Sequence, residues 1–215
     1  MNTTPSPPEA PGQASAIAGL AAIVLAAGRS SRFEGAHKLT QALDGRALVG
    51  RVLDQVAAGP AGDIVVVVGE RAEAVRAAAG QGRWRFTLNA LAAGGLSTSI
   101  RAGIAALAPG TQAAMIVLAD MPGITTPLIC ALAEAARANP GAIIHPVTPD
   151  GRQGHPVLWP ADLFGALRAL TGDKGAKGLL ETHKARIVTL RWDDAGITRD
   201  IDTRQDLAAF LKTKN

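Results

Sequence analysis

The chain has 215 residues, 47% of them hydrophobic but only 3% aromatic, and a formal charge of +4. That length suits one domain with a sizeable core of Ala, Val, Leu and Ile, and the scattered cations form no block of the kind that binds nucleic acid. Cys130 is the single cysteine, so no intrachain disulfide can form, and no stretch approaches the roughly 20 apolar residues of a membrane span.

Residues 1–16 are rich in Pro, Ser and Thr, lack periodic apolar positions, and read as a disordered leader ahead of one domain over 17–215. An apolar strand is expected at 20–26, emptying into a small-residue loop that carries Arg29 and Arg32 and ends at Lys38. Alternating signals follow: helix 47–58, strand 64–68, helix 71–79, strand 84–88, helix 97–107, strand 114–119, helix 127–138 and strand 142–146. Past Pro146 the rhythm loosens. A strand at 155–159, short helices from Ala161 and Gly175, a strand at 186–190 and a last helix at 203–212 complete the reading. Continuous apolar runs such as 64–68 belong to strands buried on both faces. Strands alternating with helices imply right-handed βαβ crossovers, hence an α/β fold: a Rossmann-like open, mostly parallel sheet with helices on both faces. No Lys or Arg precedes the apolar run at 14–27, so it does not read as a signal peptide, and with a lone cysteine a cytoplasmic location is expected. Cys130 falls in a helical pattern, where packing is its expected role.

Ligands of open α/β sheets gather beyond the carboxyl ends of the strands, so polar motifs are weighed by whether they follow one. The loop from Ala26 to Lys38 does. Its small residues let backbone N–H groups approach a polyphosphate while cations neutralise it, yet it is neither a P-loop nor a three-glycine dinucleotide fingerprint. Asp120 also ends a strand. It can cap the following turn, or it can hold Mg²⁺, which takes one or two carboxylates plus phosphate oxygens. Asp202 precedes the last helix, where Asp202 or Thr203 can serve as N-cap and Asp202 as a second metal ligand. Asn89 and the run from Gly94 to Gly103 offer glycines and a helix start for an anion or base edge, with Ser97 equally suited to capping. His155 and the segment Gly172–Lys177 lie in the irregular half, His155 as a loop residue or a functional one, Asp173 as a helix cap or loop organiser.

Written as LAAGRSSRFEGAHKL, NxxxxxGLSxSxRxG, GxxGHPVL, GDxGAK and DIDTxxDL, five motifs stand in order over nearly the whole chain. Together they resemble the MobA-like nucleotidyltransferases, on the side of the molybdenum-cofactor cytidylyltransferases. Glu34 and His37 depart from that pattern, which carries Gly and Asn or Asp there. The resemblance implies a fold of the nucleotide-diphospho-sugar transferase type, with a nucleotide half over about 17–125 and an acceptor half over about 126–215. It implies transfer of CMP from CTP to the phosphate of molybdopterin, with pyrophosphate released and Mg²⁺ as cofactor. Arg29, Lys38 and Asp120 would be catalytic. Leu25, Ala26, Ala27, Gly28, Arg29, Lys38, Asn89, Gly95, Leu96 and Ser97 would bind the nucleotide, and Asp120 and Asp202, rather than Asp200 or Asp206, the metal. Arg152, Gly154, His155, Pro156, Lys174 and Lys177 would face the acceptor, the cations forming a wall for its phosphate. A recipient molybdoenzyme is the further partner implied. The alternatives are GTP or a sugar phosphate in the same chemistry, or a chaperone that carries a finished dinucleotide without turnover. An NAD(P)-dependent oxidoreductase is disfavoured by the missing Gly-x-Gly-x-x-Gly.

Overall fold

A computed structural model describes residues 16–28, 30, 33, 37–173 and 175–212. All of the expected 1–16 leader but its last residue, together with Arg29, Glu34 and Lys174, therefore lies outside the described residues. The chain runs β1 (Ile17–Ala26), β2 (Ala42–Leu43), β3 (Arg46–Ala47), α1 (Leu48–Ala58), β4 (Ala61–Val68), α2 (Ala72–Ala79), β5 (Arg85–Leu88) and α3 (Leu96–Ala105). It continues through β6 (Ala113–Leu118), α4 (Thr126–Ala138), β7 (Ile143–Val147), β8 (Val157–Pro160), α5 (Phe164–Arg168), α6 (Lys177–Thr182), β9 (Ile187–Arg191) and α7 (Arg204–Lys212). No helix among the described residues is long and apolar enough to cross a membrane.

Seven strands form one sheet in the order β5-β4-β1-β6-β8-β7-β9, mostly parallel as expected. The exception is β8, antiparallel to both β6 and β7. Its direction follows from the connection before it: residues 148–156 hold no helix, whereas a return in parallel needs a crossover of a dozen residues or so. This reversal matters for the site. It brings the start of β8, with His155, to the same rim as the carboxyl ends of β1 and β6, since Val157 pairs with Ile116.

Alternate residues of the central strand feed two cores. Leu20, Ala22, Val24 and Ala26 of β1 pack with the apolar stripes of α1 and α4. Ala21, Ile23 and Leu25 pack with Ile100 and Ile104 of α3, Phe164 of α5 and Leu180 of α6. The Val, Leu, Ile and Phe side chains among them contribute about 1.5–3 kcal/mol each when fully buried, so the two layers carry the fold. α3 lies so close to β1 that a Cβ on Gly103 would collide with Ile23 Cγ2.

The hairpin β2–β3 was absent from the sequence expectation. Its turn, Asp44-Gly45, has both residues at positive φ (53° and 80°), the geometry of a type I′ turn. The flanking strands are too short to show alternation. α3 begins at Leu96 rather than Ser97, with Gly95 as its N-cap.

Candidate active site

The chain leaves β1 at the centre of the sheet, and the loop that follows is tied back on itself. His37 is buried and has Nε2 2.9 Å from the Gly28 carbonyl, so the imidazole donates to it. Ser30 Oγ accepts the Lys38 N–H at 3.2 Å. These bonds set Lys38 at the start of a 3₁₀ turn over Lys38–Thr40, largely buried, with its side chain aimed across the rim.

There its ammonium lies between two carboxylates, 2.7 Å from Asp120 Oδ2 and 2.6 Å from Asp202 Oδ1. Burial opposes the charge on Lys38, but Asp120 and Asp202 outweigh it and hold the ammonium above the ordinary lysine range. An ammonium has three N–H donors, so one remains for a further oxygen after both carboxylates are met. Asp120 follows β6, and its carbonyl accepts the Ile201 N–H at 2.9 Å, fastening the last loop beside it. Thr203 and Asp206 form a reciprocal cap for α7: Thr203 Oγ1 accepts the Asp206 N–H at 3.1 Å while Asp206 Oδ2 accepts the Thr203 N–H at 2.7 Å. Capping thus falls to Thr203, and Asp202 turns to the rim.

Carboxylate oxygens of Asp120, Asp200 and Asp202 all lie within 4.8 Å of one another. Asp200 was passed over on sequence, although residues two apart in an extended segment share a face. Its carboxyl is held above the usual range, first by partial burial and then by the nearby Asp202 and Asp120 charges. A trio of hard oxygen donors beside a bound ammonium fits a divalent cation such as Mg²⁺ or Mn²⁺.

Two open clefts meet at this rim. One, about 670 Å³, is lined by Leu25, Ala27, Gly28, Lys38, Gly95, Leu96, Ser99 and Asp120 among others. The other, about 860 Å³, runs over Ala27, Gly28, Gly69, Arg71 and Asn89. Most of the expected nucleotide residues therefore come together, but Ala26 and Ser97 do not line either cleft. Ala26 is spent in the core, and Ser97 is buried with its hydroxyl unpartnered among the described residues. Ser99 takes its place. Asn89 serves chiefly as a brace: its Nδ2 donates to Thr98 Oγ1 and Ser99 Oγ (2.9 and 3.0 Å), and its Oδ1 accepts the Leu91 N–H.

The start of α3 differs from the open anion seat expected of it. Leu96 N–H donates to Asp173 Oδ1 at 3.2 Å, Ser97 N–H to the Gly172 carbonyl and Thr98 N–H to the Gly95 carbonyl. Asp173 caps this helix from the far half of the chain rather than the one after it. Gly95 permits the approach: its φ is +97°, and a Cβ would sit 2.9 Å from Asp173 Cα.

The expected cationic wall assembles only in part. Arg152 is exposed and paired with Asp150 at 2.9 Å, and does not line the acceptor cavity. Gly154 and Pro156 are buried in the frame, Gly154 pressed against Ile197. His155 and Lys177 do share a cavity of about 320 Å³, which adjoins the Lys38 cleft through Leu25, Leu96 and Leu118. Burial pushes His155 below the ordinary histidine range, the Asp120 charge opposing this and His145 adding to it. Cys130 is half-buried in α4 and lines neither cleft nor the acceptor cavity; burial raises its thiol and Glu134 adds to the rise.

With this geometry in view, the similarities to known proteins are consistent. The profile of the MobA-like NTP transferase domain matches residues 22–187. A protein of Paenarthrobacter nicotinovorans named nicotine blue oxidoreductase is 28% identical over 88% of this chain and 95% of its own length. The bifunctional protein GlmU of Sinorhizobium medicae is 36% identical, over 57% of this chain and 28% of its own. Among solved structures, a Mycobacterium sp. strain JC1 homologue of Mycobacterium tuberculosis Rv0371c has a TM-score of 0.79 at 27% identity, covering 91% of this chain and 96% of that one. Rv0371c itself aligns with a TM-score of 0.79 at 26% identity, over 90% and 97%, and it has also been solved in complex with manganese.

Proposed function

Because the chain belongs to the family of MobA-like NTP transferase domains, we propose that it transfers CMP from CTP to the terminal phosphate of molybdopterin. The observation that carries this reading is the Lys38 ammonium held between Asp120 and Asp202 in a cleft walled by Ala27 and Gly28. In the reaction an acceptor phosphate oxygen bonds to the α-phosphorus of CTP, the bond between that phosphorus and the bridging oxygen to the β-phosphate breaks, and pyrophosphate leaves. The acceptor already supplies an anionic oxygen, so no protein nucleophile is required. Positioning and charge stabilisation remain as the protein's tasks.

Lys38 performs the second task with its remaining N–H, aimed at oxygens that gain charge at the α-phosphorus. Asp120, Asp200 and Asp202 would hold a divalent cation, which supplies neutralisation of the triphosphate when bound. The manganese complex of the similar Rv0371c supports a divalent cation in this role. Ala27 and Gly28 let backbone approach the nucleotide closely, and Arg29 is assigned to the triphosphate. The Gly95–Ser99 segment, held by Asn89 and Asp173, forms the side of the cleft that meets the ribose and base. His155 and Lys177 face the acceptor. Carriage of a finished dinucleotide requires neither the acidic trio nor the lysine, so catalysis uses more of the site than chaperoning does.

Pyrophosphate release measured with each of the four nucleoside triphosphates, with and without molybdopterin, tests the proposal. Release with CTP that depends on molybdopterin is expected, and preference for GTP or for a sugar phosphate acceptor would overturn it. A second reading draws on the Paenarthrobacter relative's name, which denotes an oxidoreductase. Oxidation of NADH or NADPH by the purified protein, without pyrophosphate release, would favour that reading instead.

A further inference from the structure

Lys38 does more at the acidic trio than point a donor at phosphate. Its ammonium bonds Asp120 Oδ2 at 2.7 Å and Asp202 Oδ1 at 2.6 Å, so a charge from within the chain already answers two of the three carboxylates. The side chain is largely buried, and its backbone N–H is tied to Ser30 Oγ, which fixes where the ammonium stands. Asp200 is the exposed member of the trio. A divalent cation seated on the same two oxygens at about 2.1 Å would lie no more than about 5 Å from Nζ. Like charges repel strongly at that range in a partly buried site. A triphosphate reverses the balance. Its oxygens can accept the third N–H of Lys38 and also ligate the cation, so negative charge comes to stand between the two positive ones.

We propose that Lys38 makes cation binding conditional on the nucleotide: its ammonium keeps the trio at low affinity for a lone divalent cation, which enters as its complex with the triphosphate. The proposal deepens the function given above and rests on it for the identity of that triphosphate. Three carboxylates and one ammonium still leave the rim negative, so lone-cation binding is weakened rather than abolished. Linkage then requires the cation and the triphosphate to strengthen one another, and Lys38 is the source of that coupling. The rival role for Lys38 is to gather Asp120 and Asp202 into a ready-made metal seat. The two roles predict opposite signs, because removing a gatherer weakens the lone cation and removing a competing charge tightens it.

Mn²⁺ alone is the probe, titrated into the full chain without nucleotide and read by the electron paramagnetic resonance signal of the free ion. Lys38→Gln removes the charge but keeps an amide that can donate to one carboxylate, and it should bind Mn²⁺ about ten-fold more tightly than native protein. Lys38→Met, which has no donor, should tighten binding likewise, so the test does not hang on one variant. Lys38→Arg keeps the charge and should bind as weakly as native protein. Adding Asp200→Asn to Lys38→Gln should reverse the gain, which locates it at the trio. The rise of the urea midpoint with Mn²⁺ gives each variant a second readout. Dialysis of labelled CTP in EDTA and in saturating Mn²⁺ then measures the coupling, and the ratio of the two affinities should be larger for native protein than for Lys38→Gln. Chelation of Mn²⁺ by free CTP is common to both proteins and cancels in that comparison. Equal or weaker Mn²⁺ binding in Lys38→Gln and Lys38→Met, a gain that survives Asp200→Asn, or equal coupling ratios would each overturn the proposal. Pyrophosphate release by native protein, run in parallel, separates this failure from failure of the function. Tighter Mn²⁺ binding in the uncharged variants without turnover by native protein keeps the role of Lys38 and removes the reaction. Turnover by native protein with Mn²⁺ affinity unmoved by Lys38→Gln does the reverse.

Discussion

Lys38 is the residue on which the site converges, because it meets carboxylates from two distant parts of the chain. Truncating it removes the ammonium that bridges Asp120 and Asp202 and the donor assigned to the reacting phosphate. Lys38→Ala should lower kcat by about 10²-fold or more, as loss of other charge-stabilising donors does. Both carboxylates keep partial access to solvent, so the stability cost should stay near 1 kcal/mol, well below that of breaking a fully buried pair. A change confined to the KM for CTP would make Lys38 a uniform binding residue instead. Asp120→Asn should abolish turnover at saturating Mg²⁺ at a stability cost of only about 1 kcal/mol, since the amide keeps the volume, its oxygen can still accept from Lys38, and Asp202 remains as the charged partner of that ammonium. Near-native rates in that variant would remove Asp120 from the metal site. Asp120 and Asp202 were legible in the sequence because one stands just past a strand and the other just before a helix, and Lys38 because it closes the small-residue loop that follows β1. Asp200 was not, since choosing within Asp200-Ile-Asp202 needs the path of an extended segment. Arg152 misled for a local reason: Asp150, two residues before it, takes its guanidinium.

Elements were legible wherever apolar runs were long, as in β1, β4, β6 and α4. The hairpin Ala42–Leu43 with Arg46–Ala47 escaped because two-residue strands carry no period, although Asp44-Gly45 is a turn signal. The reversed direction of β8 was hidden for a different reason, since its partners are chosen by long-range packing. The cap on α3 belongs to the same class of information: Asp173 reaches it from 77 residues away. That contact gives a prediction at this scale. Asp173→Ala should cost about 1 kcal/mol, the usual loss of a helix cap. It should also raise the KM for CTP several-fold, because Gly95, Leu96 and Asp173 line the same cleft. Urea denaturation and initial-rate kinetics on one preparation check both parts. A stability loss without any change in KM would confine Asp173 to a structural cap.

Across the whole molecule, the nucleotide and acceptor halves expected from the sequence are interlocked, with Gly172 and Asp173 reaching α3 and Asp202 reaching Lys38. Unfolding one half should therefore unfold the other, and stability can be read as a property of the chain. Its pH dependence follows from the histidines. His37, His145 and His155 are all held below the ordinary range, burial being the largest cause in each, so the folded protein keeps them neutral. Above about pH 6.5 the unfolded chain is neutral at these positions too, and no penalty arises. As pH falls through that value the unfolded chain binds protons that the folded protein refuses, so stability declines, and it goes on declining until the lowered folded values are passed. Asp150, Asp162 and Asp206, also held below their ordinary range, act in the same direction. Their window, however, lies below about pH 4, where carboxylates of the unfolded chain protonate. Urea midpoints should thus be level between pH 8 and 7 and fall between pH 6.5 and 5. His145→Asn, which removes one of the three titrating rings, should make that fall shallower. A midpoint that stays flat or rises across the same interval would mean that these histidines protonate freely in the folded protein, and the burial assigned to them would be wrong.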